Sequence, residues 1–116
     1  MRVEDVQKES NIFIHLGKVE RGILTVGMTV NAQIDRACRR RAQANHTATH
    51  LLQAALKLIV DPTISQAGSM VSFDRLRFDF NCPRQLTPEE LQQVEDQVNS
   101  WIAQLFHHII PHFQII

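Results

Sequence analysis

The sequence of 116 residues predicts an α+β fold in which helices pack on an antiparallel β-sheet. Two observations lead to this prediction. Segments rich in strand-forming residues lie next to one another and are joined by short turns, which favours antiparallel pairing. Each group of strands is followed by a longer segment whose apolar residues recur at helical spacing. The predicted order is three strands, a helix, two strands and a second helix.

The first group comprises three predicted strands. Residues 12–16, 23–26 and 29–34 are rich in strand-forming residues. Gly27-Met28 separates the second strand from the third, and a two-residue loop that begins with glycine predicts a tight hairpin turn. Because so few strands are marginally stable alone, we expect this group to be the end or the edge of a larger β unit.

The first helix is predicted from about Arg40 to Val60. Asp61-Pro62 ends it, since the residue before a proline avoids the helical region. Arginines are concentrated around its start: Arg36, Arg39, Arg40 and Arg41. The apolar residues that follow recur at helical spacing: Leu51, Leu52, Ala55, Leu56 and Ile59.

The second group of strands covers residues 69–73 and 75–80. In the second of these strands, Leu76, Phe78 and Phe80 alternate strictly with charged residues, which predicts one face against a core and one polar face.

The last helix opens with a capping box. Thr87 is the predicted N-cap, Pro88 the first helical residue and Glu90 the reciprocal partner. Pro111 is expected to end or bend this helix. The apolar stripe of the helix consists of Leu91, Val94, Val98, Trp101, Ile102 and Leu105.

Composition excludes some classes of function. The twelve basic residues balance the twelve acidic ones, so any binding to nucleic acid must come from a local basic patch. No apolar run approaches the ~18 residues of a membrane-spanning helix, and we expect no membrane partner. Cys38 and Cys82 are too few for a disulfide framework, which favours free thiols and a reducing compartment.

His46 and His50 are the strongest local signal. Histidines four residues apart lie on one helix face, where their imidazoles can hold one zinc ion. A half-buried pair without metal is the alternative. Thr47 replaces the glutamate that a zinc peptidase needs at that position, which argues against peptidase activity. Further ligands would have to come from Cys38, Cys82, His15, His107, His108 or His112, and Pro111 interrupts the helical spacing of His108 and His112.

Several motifs occur in the order of a known family. Residues 40–52, which read RRAQANHTATHLL, resemble the opening of the editing domain shared by alanyl- and threonyl-tRNA synthetases and by free-standing alanyl editing proteins. The resemblance continues through QAGS at 66–69, LRFDF at 76–80 and LTPEEL at 86–91. The segment GKVERG at 17–22 and the predicted hairpin after it resemble the end of the synthetase β-barrel subdomain.

The amino-acid sequence is most similar to the alanyl-tRNA synthetase branch of this family, in its cyanobacterial or plastid form. The resemblance implies residues 1–35 from the β-barrel and residues 36–116 from the editing domain of a larger enzyme. That enzyme attaches alanine to tRNA(Ala) with ATP, and its editing domain hydrolyses tRNA(Ala) mischarged with serine or glycine. The implied partners are tRNA(Ala), the 3′ end of mischarged tRNA and the rest of the synthetase. The implied location is the cytoplasm, or the plastid or mitochondrial matrix.

The resemblance also implies roles for individual residues. His46 and His50 match two zinc ligands, while Thr49 and Gln66 match polar residues of the editing pocket, which we treat as candidate catalytic residues. The family takes its other two zinc ligands from a later Cys-x-x-x-His motif. Leu86 stands where Cys82 would need a histidine, so we expect an incomplete zinc site. The tail, residues 107–116, does not resemble the family's continuation.

Arginines are the candidate RNA-binding residues. Arg39, Arg40 and Arg41 suit phosphate geometry, although a solvated helix start is the alternative. Arg77 either faces RNA or pairs with Asp74 or Asp79. Three functions remain open at this stage: a synthetase segment with editing activity, a truncated RNA-binding module without catalysis, and a free-standing deacylase.

Overall fold

The computed structural model describes residues 1–105 and 114–115, which fall into two compact units, residues 1–33 and 34–116. Two antiparallel hairpins and two helices confirm the predicted α+β class. The assignment of residues 1–35 to a β-barrel and 36–116 to an editing domain stays a prediction. The elements are β1 (Arg2–Glu9), β2 (Ile12–Lys18), α1 (Arg36–Ile59), β3 (Ser65–Val71), β4 (Leu76–Asn81) and α2 (Pro88–Leu105).

The first unit is a single hairpin. Strand β1 pairs antiparallel with β2 from Arg2–Lys18 to Glu9–Ile12, with an irregularity between Val3 and Asp5. All residues of both strands are exposed. The pairing requires glycine at position 17, because a Cβ there would lie 2.1 Å from the carbonyl oxygen of Arg2. The predicted strand at 12–16 is confirmed, but its partner β1 was not predicted.

The predicted hairpin over residues 23–34 is wrong, because neither arm is a strand. A turn does form, since the amide of Met28 donates to the carbonyl of Thr25 at 3.2 Å. Gly27 has φ +82° at the third position of this turn. That geometry belongs to type II turns, which splay the flanking strands instead of aligning them. The apolar side chains of both arms also remain exposed, so burial does not hold the arms together.

Helix α1 begins at Arg36, four residues before the predicted start. The reason is an N-cap at Asp35, whose Oδ1 accepts the amides of Ala37 at 2.8 Å and Cys38 at 3.0 Å. These two backbone hydrogen bonds lower the pKa of the Asp35 carboxyl. The helix ends at Ile59, as the proline at position 62 predicts.

The second hairpin, β3–β4, packs on the helices of its own unit. Its register runs from Ser65–Asn81 to Val71–Leu76, with an irregularity between Gln66 and Gly68. Strand β3 therefore begins four residues before the predicted arm. Leu76, Phe78 and Phe80 pack partly buried against the core, as their alternation predicts. That core consists of Ala44, Ala48, Ala55, Leu56, Ile64, Val94, Val98 and Ile102.

Helix α2 has the predicted capping box. The amide of Thr87 donates to Oε2 of Glu90 at 2.9 Å, and the amide of Glu90 donates to Oγ1 of Thr87 at 3.2 Å. Predictions that concern the Leu105 side chain, Pro111 and the tail at 107–113 lie outside the described residues. Among the residues described, no helix is long and apolar enough to cross a membrane.

Candidate functional site

The two candidate zinc ligands lie together on the solvent face of α1. His46 and His50 are both exposed, and their rings meet edge to face with centroids 4.9 Å apart. Core residues Ala48 and Ala55 lie on the other side of the same helix. Arg39 precedes His46 by seven residues, two helical turns, and so shares this face. We call Arg39, His46 and His50 the histidine face.

The histidine face fits half of a zinc site. Two neutral imidazoles one helical turn apart can bind one ion, but a structural site has four protein ligands and a catalytic site normally three. In residues 1–105 and 114–115, no group of three His, Cys, Asp or Glu side chains is placed to hold a metal. Cys38 and Cys82 are free, half-buried thiols. The candidates His107, His108 and His112 lie outside the described part of the chain.

The side chains of the two candidate catalytic residues each form a hydrogen bond within their own helix or strand. Thr49 is only 5% exposed, and its hydroxyl donates to the carbonyl of Asn45 at 2.9 Å. Gln66 is exposed on β3, where its Nε2 donates to the hydroxyl of Ser69 at 3.0 Å. The structure thus brings the two histidines together, whereas a joint pocket with Thr49 and Gln66 stays a prediction.

The candidate RNA-binding arginines have different surroundings. Arg39, Arg40 and Arg41 are all exposed near the start of α1. The guanidinium of Arg41 lies 5.6 Å from the ring centroid of Phe73. Arg77 forms an ion pair with Asp79, with 3.1 Å between Nε and Oδ1, which is one of the two pairings considered for it. Both side chains of this pair are largely exposed, so contact of Arg77 with RNA stays a prediction.

A second polar cluster lies at the turn between β3 and β4, and sequence reasoning missed it. We call residues 72–75 the hairpin tip. The side-chain amide of Asn45 on α1 donates to the carbonyl of Ser72 at 2.9 Å. The hydroxyl of Ser72 hydrogen-bonds the carboxylate of Asp74. That bond, and then the positive charges of Arg75 and Arg41, lower the pKa of Asp74.

An apolar groove of about 450 Å³ runs between α1 and β4. Leu52, Leu56, Phe78 and Phe80 line it, and Ile115 closes part of it. The amide of Ile115 donates to Oε2 of Glu95 at 2.9 Å, which fixes this residue against α2. The groove is therefore partly filled by the chain itself.

Comparisons with known proteins identify close relatives. The chain is 77% identical over 104 residues to the alanine–tRNA ligase of Synechococcus elongatus, and 78% identical over 104 residues to that of Nostoc punctiforme. Each match covers 90% of this chain but 12% of the relative, so the chain spans about one eighth of the length of these enzymes. No protein-family model and no solved structure matches. This chain is therefore homologous to a segment of alanine–tRNA ligase.

Proposed function

We propose that this chain is a segment of an alanine–tRNA ligase that takes part in hydrolysing mischarged tRNA. The parent enzyme attaches alanine to tRNA(Ala) with ATP, and the segment removes serine or glycine attached in error. The high identity to alanine–tRNA ligases supports the parent activity. The observation that supports the hydrolytic role is the exposed pairing of His46 and His50 on one helix face.

The histidine face would hold zinc together with ligands from outside the described residues. His46 and His50 supply two imidazoles, and the family's Cys-x-x-x-His motif would supply the other two ligands. A zinc ion bound there would act as a Lewis acid or organise the aminoacyl end of the tRNA.

The chain's own residues would position the substrate. Arg39, Arg40 and Arg41 are exposed and would bind phosphates of tRNA(Ala). Gln66 is exposed, and its side-chain amide would contact the aminoacyl group at the 3′ end. The hydroxyl of Thr49 already donates to the backbone, so it would accept a hydrogen bond from the substrate. Hydrolytic correction is useful here because a hydrophobic pocket rejects the added hydroxyl of serine poorly.

The partners of the segment would be tRNA(Ala) and the rest of the ligase chain. The parent enzyme would work in the cytoplasm, or in the plastid or mitochondrial matrix. A non-catalytic RNA-binding module is the second candidate, and the lack of a third zinc ligand among the described residues is the observation that supports it. A free-standing deacylase needs the same missing ligands and is therefore less well supported.

The test measures zinc content and hydrolysis of seryl-tRNA(Ala) by the 116-residue chain. We expect the native chain to bind zinc weakly and hydrolyse the ester, and we expect both properties to be lost when His46→Ala and His50→Ala are combined. Lys57→Ala is the matched control, since Lys57 is exposed on the same helix two turns beyond His50 and is not a candidate ligand. Hydrolysis that survives the double substitution contradicts the proposed mechanism. Absence of both zinc and hydrolysis in the native chain supports the RNA-binding module instead.

A further inference from the structure

An aromatic ring stands exposed at the hairpin tip. Phe73 is 48% exposed, and it lies between β3 and β4 instead of in the core beneath them. A single exposed apolar residue is ordinary on a protein surface. Phe73 differs from an isolated residue because the Arg41 guanidinium lies 5.6 Å from its ring centroid. The ring therefore combines an open aromatic surface with a nearby positive charge.

The hairpin tip is held in place before any ligand arrives. Asn45 ties the carbonyl of Ser72 to α1. Within the tip, the amide of Ser72 donates to the carbonyl of Arg75 at 2.9 Å, and its hydroxyl bonds Asp74. A surface that is already ordered loses less conformational entropy on binding than a mobile loop. Phe73 therefore lies on a turn whose backbone is held by hydrogen bonds.

The charge around the ring is positive. Arg75 and Arg41 lie close enough to Asp74 to lower the pKa of its carboxyl, after the larger effect of the Ser72 hydrogen bond. These two guanidinium groups outweigh the one carboxylate. Arg40 precedes Arg41 on the same exposed helical turn and adds to the positive field. An anionic ligand would therefore be attracted to the side of the tip that carries the ring.

Two kinds of contact at one place define the class of ligand. An aromatic face stacks on any nucleobase without regard to sequence, and arginine binds phosphate in a planar fork. We infer that the hairpin tip is a stacking platform for an unpaired nucleotide of RNA, with Phe73 against the base and Arg41 and Arg75 beside its phosphate. This inference deepens the proposed function, on which it rests for the identity of the partner as RNA.

The test measures binding of a fluorescein-labelled, single-stranded oligoadenylate to the full chain by fluorescence anisotropy. We expect Phe73→Ala to weaken binding about tenfold, as loss of one base–aromatic stack does. Phe73→Trp should preserve binding because it keeps an aromatic face. Arg41→Gln should lower the dependence of log affinity on log salt by about one unit, because one phosphate contact is lost.

Phe13→Ala is the matched control. Phe13 is 62% exposed on β2, and Nζ of Lys8 lies 5.7 Å from its ring centroid, so it offers a similar ring and cation elsewhere. We expect this variant to bind as the native chain does. Equal losses in Phe13→Ala and Phe73→Ala would show unspecific stacking and overturn the inference. Unchanged binding by Phe73→Ala, or no binding by the native chain at low salt, would also overturn it.

Folding and function are separated by two further readouts. Trp101 fluorescence during thermal unfolding reports whether the Phe73 variants keep the native second unit, and Phe73→Leu provides an apolar, non-aromatic replacement if alanine destabilises it. The oligoadenylate has no aminoacyl ester, so its binding does not depend on hydrolysis. Phe73-dependent binding without hydrolysis of seryl-tRNA(Ala) would contradict the proposed function and leave the stacking platform intact.

Discussion

The two units contain hairpins of similar length with different physical support. In β1–β2 every residue is exposed, and apolar side chains such as Phe13 and Leu16 meet solvent. In β3–β4, alternate residues of β4 pack against a core that α1 and α2 complete. Backbone pairing alone gives marginal stability, whereas a buried apolar face adds the larger hydrophobic contribution. Secondary structure alone therefore does not show which part of the chain is stable.

The largest expected difference is in the free energy of unfolding lost when a buried or an exposed leucine is truncated. Leu56 is 2% exposed in the core of the second unit, and Leu16 is 45% exposed in the first. Leu56→Ala should lower the free energy of unfolding by about 2–5 kcal/mol, because it removes buried methyl groups and leaves a cavity. Leu16→Ala should change it by about 0.5 kcal/mol or less. Urea unfolding followed by Trp101 fluorescence and circular dichroism measures both, and equal losses would contradict the comparison.

A glycine in each hairpin gives the next largest effect. A Cβ at position 17 would lie 2.1 Å from a backbone oxygen of Arg2, which cannot move without breaking the pairing. A Cβ at position 68 would meet the side-chain oxygen of Asp79 at 3.2 Å, and this side chain can shift. Gly17→Ala should cost about 1–3 kcal/mol within β1–β2, and Gly68→Ala less.

Amide hydrogen exchange shows which of the two units loses protection in each glycine variant. In Gly17→Ala the amides of β1 and β2 should exchange faster, while those of α1 keep their native protection. Loss of protection in α1 as well would show that the second unit depends on the first.

The smallest effect concerns the pH dependence of the second unit. Hydrogen bonds from Arg84, at 2.5 and 2.8 Å, and then from the amide of Thr87, lower the pKa of Glu90 from 4.5 to about 2. A lowered carboxyl pKa stabilises the folded state above the unfolded pKa, and this contribution is lost as pH falls from about 4.5 to about 2. Glu90→Gln should therefore reduce the fall of the thermal midpoint across this window.

The control for that measurement is Glu9→Gln in β1, which is exposed and lies outside the Arg84–Glu90 pair. Trp101 fluorescence follows the thermal midpoint in both variants. A native pH profile in Glu90→Gln would show that the ion pair does not contribute to the stability of the second unit.

Local signals account for what was predictable in the fold. The capping box of Thr87 and Glu90 and the alternation of Leu76, Phe78 and Phe80 act over a few residues, so sequence was sufficient. The start of α1 was misplaced because the cap at Asp35 precedes a run of arginines that is unfavourable at a helix N-terminus. Strand β1 was missed because its charged residues obscure any apolar alternation.

The candidate site also has one part that local sequence could predict and one part that depends on the tertiary fold. His46 and His50 were paired by helical spacing, which is local information. Contact between Arg41 and Phe73 depends on where the β3–β4 turn meets α1, and separations of this kind leave no periodic signal in the sequence. At Thr25–Met28 the glycine correctly predicted a turn, but the segments on either side of it do not pair as strands.

Asn45 connects helix α1 to the turn between β3 and β4. Its carbonyl accepts the hydroxyl of Thr49, and its side-chain amide holds Ser72. The residue adjoins His46, so its hydrogen bond ties the turn between the strands to the helical turn that bears the histidines. The histidines and the hairpin tip are therefore joined by a directional polar contact as well as by the apolar core.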